Sequence, residues 1–234
     1  MHITILGAGY EGITISVGLA VFGHAVSAVD VNPIRARHLQ RGVLDIRDEE
    51  LSSHMKLVLR GGQLKFTSEL EKCLSETEVV VISEVFNPGN DAMPNKEALL
   101  RTAECLTGII GTFSVVVVSA RVPNGSCHSL QDWLNETMHS DMVNVVAFPA
   151  FLGRDRNLHD FLHPKRIILG YEGDRPRRIL DELFANPLTN ETPICHVSWE
   201  TAEMMRTEAS MLSPGIPEYS KVTHKLSTDK VPAF

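Results

Sequence analysis

Short, continuous apolar runs alternate along this chain with longer segments in which apolar positions recur every three or four residues. The runs fall at residues 3–6, 25–29, 64–67, 79–82, 115–118, 143–147 and 167–169. They are rich in Val and Ile and lack polar alternation, which predicts strands of a parallel sheet covered on both faces. The intervening segments predict helices: one beginning at about Ile13, then 33–40, 44–59, a helix capped by Thr67 or Ser68, 95–106, 126–138 and 175–184. The alternation reads as an α/β fold of the Rossmann type, a doubly wound, mostly parallel sheet with helices on both faces, over residues 1–198. Residues 199–234 form an appendage. A short helix over 200–212 is broken by Pro214, Gly215 and Pro217, and a polar tail with little periodicity follows.

In such a sheet ligands lie beyond the carboxyl ends of the strands. Here those ends are the turn after Leu6, Asp30 and residues 83–87, 119–125 and 148–154. The first two carry a pattern with chemical content. Gly7-Ala8-Gly9-Tyr10-Glu11-Gly12 has GxGxxG spacing between a strand and a helix, and Asp30 closes the next strand, 18 residues after Gly12. Gly7 suits the tight turn, Gly9 lets backbone approach a pyrophosphate, and Gly12 lets helix and strand pack closely. The helix N-terminus favours an anion, and the Asp30 carboxylate can accept from ribose hydroxyls. These features predict a dinucleotide site; a glycine-rich turn without a ligand is the alternative. An acid at position 30 repels a 2′-phosphate and favours NAD over NADP, while Arg35 keeps NADP open. Ser83, Glu84 and Arg121, at the ends of the fourth and fifth strands, complete the expected cofactor-binding set. Position alone also makes Glu84 a candidate general base.

Composition removes other classes. The chain has 234 residues, 43% hydrophobic, and its 22 Lys and Arg stand against 29 Asp and Glu for a formal charge of −7. It carries no basic footprint for nucleic acid or an anionic membrane. The first residues read as a core strand, not a signal peptide, and no run is long enough to span a bilayer, so a cytoplasmic protein is expected. Cys73, Cys105, Cys127 and Cys195 are scattered and read as buried thiols; the ten histidines form no metal motif. His159 and His163 are four apart, but the adjoining Pro164 favours a loop. Trp199 and Phe161 read as packing residues. Arg121, Arg154, Arg156 and Arg166 are either surface charge or a hold for an anionic substrate.

Beyond the glycine motif, several stretches resemble the N-terminal domain of the UDP-glucose/GDP-mannose dehydrogenases over residues 1–212. They are Val29-Asp30-Val31-Asn32-Pro33, the strand at 64–67, Phe148-Pro149-Ala150-Phe151-Leu152, and Phe161-Leu162-His163-Pro164-Lys165-Arg166-Ile167. The resemblance implies an NAD-dependent oxidation of a sugar-nucleotide hydroxyl to the carboxylate, with Arg35 near the adenosine ribose. It also exposes departures. Arg121 stands where the family has a water-holding Thr, and Ala150 where it has a catalytic Glu. Arg206 and Ser210 stand where it has a Lys and an Asn, and Val85-Phe86-Asn87 replaces a Gly-Thr-Pro turn. The family's nucleophilic Cys belongs to a second half that has no counterpart in this sequence, so no catalytic residue is assigned.

The expectation is therefore an NAD(H)-binding homologue unable to run the four-electron reaction alone. Two alternatives stand beside it: an oxidoreductase of changed chemistry making a single hydride transfer to or from a nucleotide sugar or other anionic molecule, and a non-enzymatic partner subunit. The helix at 200–212, the opening of the family's long linker helix, carries Met204, Met205, Met211 and Leu212. They point to a homodimer or a partner chain around residues 199–220.

Overall fold

The computed structural model describes residues 1–85, 96–106, 115–138, 142–150, 157–185 and 192–211, excepting the side chains of 157 and 207–211. Phe86, Asn87, Phe151, Leu152, Arg154, Arg156, Leu212 and the tail lie outside the described residues. Eight strands form one sheet: β1 (His2–Leu6), β2 (Ala25–Val29), β3 (Leu64–Thr67), β4 (Val79–Ile82), β5 (Val115–Val118), β6 (Asn144–Ala147), β7 (Ile167–Gly170) and β8 (Ile194–Val197). Their order is β3-β2-β1-β4-β5-β6-β7-β8. The first six strands are mutually parallel in the doubly wound order. β7 and β8 are parallel to each other, and β7 meets β6 antiparallel through Ala147 and Gly170.

Every residue of β4 and β5 is buried, which is why these strands read as unbroken Val and Ile. Successive side chains divide between the two faces. Val79, Val81, Val115 and Val117 join the core beneath α1 (Tyr10–Val21), α3 (Glu49–Arg60), α7 (Asn157–Leu162) and α8 (Arg177–Leu183). Val80, Ile82, Val116 and Val118 face α5 (Lys96–Glu104), α6 (Ser126–Met138) and α9 (Trp199–Met211). Two smaller helices, α2 (Pro33–Gln40) and α4 (Leu70–Leu74), follow β2 and β3.

Helix α1 is buried on all sides from Gly12 to Ala20, because it lies between the sheet and the neighbouring helices. Gly18 lets α7 approach: a Cβ there would overlap the Phe161 ring, which stacks on Phe22 at 5.7 Å. At the far end of α1 the buried His24 ring donates to the Leu183 carbonyl of α8 over 2.9 Å, and burial pushes its pKa below the ordinary histidine value. Trp199 is also a packing residue, its indole N–H donating to the Val145 carbonyl at 2.8 Å.

Five local expectations are corrected. His159 lies on α7, and the chain turns on through His163, whose N–H donates to the His159 carbonyl; their rings are 5.0 Å apart. Pro164 follows the helical turn instead of preventing it. The helix expected from residue 44 begins at Glu49, because Asp48 caps it by accepting the Leu51 N–H at 2.8 Å. Thr67 accepts the Glu69 N–H in a local turn at 3.1 Å, and α4 starts after it without a side-chain cap. Only Cys73 and Cys127 are buried; Cys105 is exposed and Cys195 half-buried. Finally, β8 is an addition to the expected strands, since Ile194-Cys195-His196-Val197 is short and its apolar run is interrupted by His196.

Among the described residues no helix is long and apolar enough to cross a membrane, and no three His, Cys, Asp or Glu side chains are placed to hold a metal ion.

Candidate functional site

The ends of β1, β2, β4 and β5 meet around the N-terminus of α1, and the three motif glycines do three different things there. Gly7 has φ +96°, in the left-handed region that other residues avoid. Gly12 has no room for a side chain, because a Cβ would overlap the Gly7 carbonyl and strike the Ser83 hydroxyl at 2.6 Å. Gly9, the residue before α1, has φ −67° and ψ −176°, open to any residue. Its lack of a side chain matters for clearance alone. The space a Cβ would take is filled by the carboxylate of Glu84, whose pKa the nearby Gly9 N–H lowers.

Ala8 is buried beneath the turn, and Ser83 Oγ donates to the carbonyls of Leu6 and Gly7 at 2.9 and 2.8 Å, tying the end of β4 to it. Tyr10 reaches the other way. Its hydroxyl donates to Asp48 Oδ2 at 2.7 Å and so couples the start of α1 to the cap of α3.

Asp30 ends β2 with a nearly buried side chain. One oxygen accepts the Asn32 N–H at 2.8 Å and the other pairs with Arg35. Arg35 also donates to the Ala8 carbonyl at 2.6 Å and pairs with Asp45 at 2.9 Å. Asn32 caps α2 by accepting the N–H groups of Ile34 and Arg35, with Pro33 at the first helical position, which fixes where Arg35 leaves the helix.

On the other side of the turn, Arg206 of α9 pairs with Glu11 of α1 at 3.0 Å and approaches the Phe148 carbonyl at 3.5 Å. Burial pushes the Glu11 carboxyl above the ordinary range, and the charges of Arg206 and Arg121 pull it partly back. Arg121 is exposed at the end of β5. Glu203, one turn before Arg206, accepts the N–H groups of Gly125 and Cys127 at the start of α6, so α9 is fastened to the same corner.

Residues 1–188 match the UDP-glucose/GDP-mannose dehydrogenase family, NAD binding domain. The chain belongs to this family. It is 29% identical over 210 residues to a UDP-glucose 6-dehydrogenase of Rhizobium meliloti (strain 1021), covering 88% of this chain and 48% of the relative. It is 25% identical over 234 residues to one of Bacillus subtilis (strain 168), covering 98% and 52%. A solved UDP-glucose dehydrogenase from Pyrobaculum islandicum superposes with TM-score 0.73 at 25% identity, over 88% of this chain and 48% of that one. GDP-mannose dehydrogenase of Pseudomonas aeruginosa shares the fold, with TM-score 0.76 at 21% identity over 96% and 51%. The chain thus spans about half the length of the relatives it matches.

NAD is the cofactor of this family domain, and the residues present fit it. The turn has backbone N–H groups at a helix N-terminus, and the Asp30 carboxylate, with two partners, retains acceptor capacity for ribose hydroxyls. The fit requires the Glu84 side chain to leave the clearance over Gly9.

The positions that depart from the family pattern fall in distinct surroundings. Ala150 lines an apolar hollow with Phe22, Phe148, Phe161 and Phe184. Arg206 is held by Glu11, itself a residue of the glycine motif. Arg166 borders the Ala150 hollow, and the side chain of Ser210 lies outside the described residues. The motif located the turn, but periodicity gives no sign that Glu84 lies across it or that α9 returns to position 11. Glu11, an acid inside a phosphate-binding motif, is the sequence signal for the second of these.

Proposed function

We propose that this chain takes up NAD(H) at the β1–α1 turn and does not run the four-electron oxidation of a nucleotide sugar by itself. Gly7, Gly9 and Gly12 would meet the pyrophosphate, with Ala8, Tyr10 and Glu11 forming the rest of the turn. Asp30 would take the adenosine ribose, with Arg35 orienting its carboxylate and Ser83 holding the turn in place. When bound, NAD supplies a hydride acceptor. A cytoplasmic setting belongs to the same reading, as does the division into residues 1–198 and 199–234.

The observation that carries the second half of the proposal is the Glu11–Arg206 pair. In the family pattern this position is a Lys that stabilises the reacting oxygen. Here the cation faces a carboxylate 3.0 Å away, so its charge is already compensated, and a planar guanidinium does not replace a compact ammonium. Ala150 and Arg121 remove the acid and water-holding groups as well, roles that each contribute about a hundred- to ten-thousandfold.

Asp30→Ala is expected to weaken NAD binding about tenfold or more in titration calorimetry, the scale of a lost hydrogen bond to a charged group. The wild-type protein mixed with NAD and UDP-glucose or GDP-mannose is expected to form no NADH. Two NADH per sugar nucleotide would overturn the proposal. One NADH would support a second reading, a single hydride transfer, which the exposed Arg121 favours as a hold for an anionic substrate.

Assembly follows from α9. Met205 packs into the core, whereas Met204 is 48% exposed, and we propose that this face meets a second copy or a partner chain. Light scattering on the full chain and on a version ending at Ser198 tests it. Two monodisperse monomers of equal stability would exclude α9 as an interface.

A further inference from the structure

We propose that Glu84 is a built-in competitor for the cofactor's pyrophosphate, an anion of the protein's own resting on the glycine turn, so that this residue sets how tightly the site takes a dinucleotide. The inference rests on the reading of the turn as the NAD site. It starts from the clearance over Gly9, whose backbone dihedrals suit any residue. A glycine there serves a group that must come close to the backbone, and in this protein that group is the Glu84 carboxylate. It lies over the Gly9 backbone, where a phosphate oxygen would have to come. The Glu84 stem also crosses Gly7, where a Cβ would lie 2.6 Å from the Glu84 Cβ. The side chain therefore lies along the turn instead of grazing it.

A carboxylate and a pyrophosphate cannot share this place. Both need the same clearance over the turn, and like charges at contact repel. The dinucleotide enters when Glu84 swings outward or becomes neutral. The charged groups facing Glu84 are Arg35 on α2, Asp30 at the end of β2 and Glu11 on α1. Burial raises its carboxyl pKa first of all; Arg35 and the Gly9 N–H lower it, while Asp30 and Glu11 raise it. The pyrophosphate diester of NAD keeps its charge across the range in which the carboxyl gains a proton. As pH falls, the competitor loses charge while the ligand keeps its own, and affinity rises.

The test is titration calorimetry of the full chain with NAD, ADP and adenosine at several pH values between about 5.5 and 8, on wild type, Glu84→Gln and Glu84→Ala. Gln keeps the volume and removes the charge; Ala removes both. NAD and ADP are expected to bind both variants about ten- to a hundredfold more tightly than wild type at pH 8, the range of one charge-assisted hydrogen bond. For NAD, whose pyrophosphate diester does not titrate in this range, the gap to Gln should narrow as pH falls, because only the wild type gains. Adenosine, which has no phosphate, should bind all three alike. Equal NAD affinity in the three proteins overturns the competitor and leaves the NAD site standing. If neither NAD nor ADP binds any of them, the site and the competitor fall together.

Discussion

Replacing Gly9 by Val is expected to give a folded protein that no longer takes up NAD. The dihedrals at this position, φ −67° and ψ −176°, are ordinary extended backbone, so a β-branched residue meets no conformational penalty. The atom in the way is the end of the Glu84 side chain, which can turn outward. What a valine cannot yield is the clearance over the N-terminus of α1. With its methyl groups there, a pyrophosphate cannot reach the N–H groups that would hold it. Binding should fall at least about a hundredfold, below calorimetric detection, with thermal unfolding within about 1 kcal/mol of wild type. Gly12→Ala is the contrasting control. Its Cβ would run into the rigid Gly7 carbonyl, so it should lose stability first and binding as a consequence. Undiminished NAD affinity in the Gly9→Val protein would remove the turn from the site.

The motif was legible because each of its parts is local. Gly7, Gly9, Gly12 and Asp30 lie at strand ends that the alternation of runs and helices already predicts. The strands of the parallel core were equally plain, since burial on both faces leaves no polar residue in β4 or β5. What the sequence concealed depends on chain ends meeting far along the sequence. Strand β8 joins at the sheet edge with all four residues half-buried, so its composition carries neither the unbroken apolar run nor a clean alternation. Helix α7 is only six residues long, and its place is decided by Phe161 fitting against Gly18, a contact across the fold. In the site itself, position 206 meets position 11, and position 84 meets position 9. Those pairings arise from the parallel topology, which gathers the carboxyl ends of β1, β4 and β5 at one corner, and no periodicity reports them.

The Glu11–Arg206 pair should be the costliest side-chain interaction to break at this corner. Fully buried pairs lose about 3–5 kcal/mol when one partner is removed, because the other charge is left without compensation. Here the side chains are 27% and 15% exposed, so solvent screens part of the field. About 2–4 kcal/mol is expected for Arg206→Met, measured by urea unfolding. Glu11→Gln should cost less, since it leaves an amide that can still accept a hydrogen bond, and the double variant should cost less than the sum of the two. The pH dependence distinguishes charge from packing. Burial already raises the Glu11 carboxyl above 4.5, and removing Arg206 takes away the largest influence pulling it down. A carboxyl raised in the folded state binds a proton that the unfolded chain has released. Its stability contribution is therefore complete below 4.5 and lost as pH climbs through the raised value. The deficit of Arg206→Met should accordingly shrink towards pH 4.5 and widen above it, while Arg206→Met combined with Glu11→Gln should show no such slope. A deficit independent of pH would mean that Arg206 acts by filling space between α1 and α9, and that its charge remains available to a ligand.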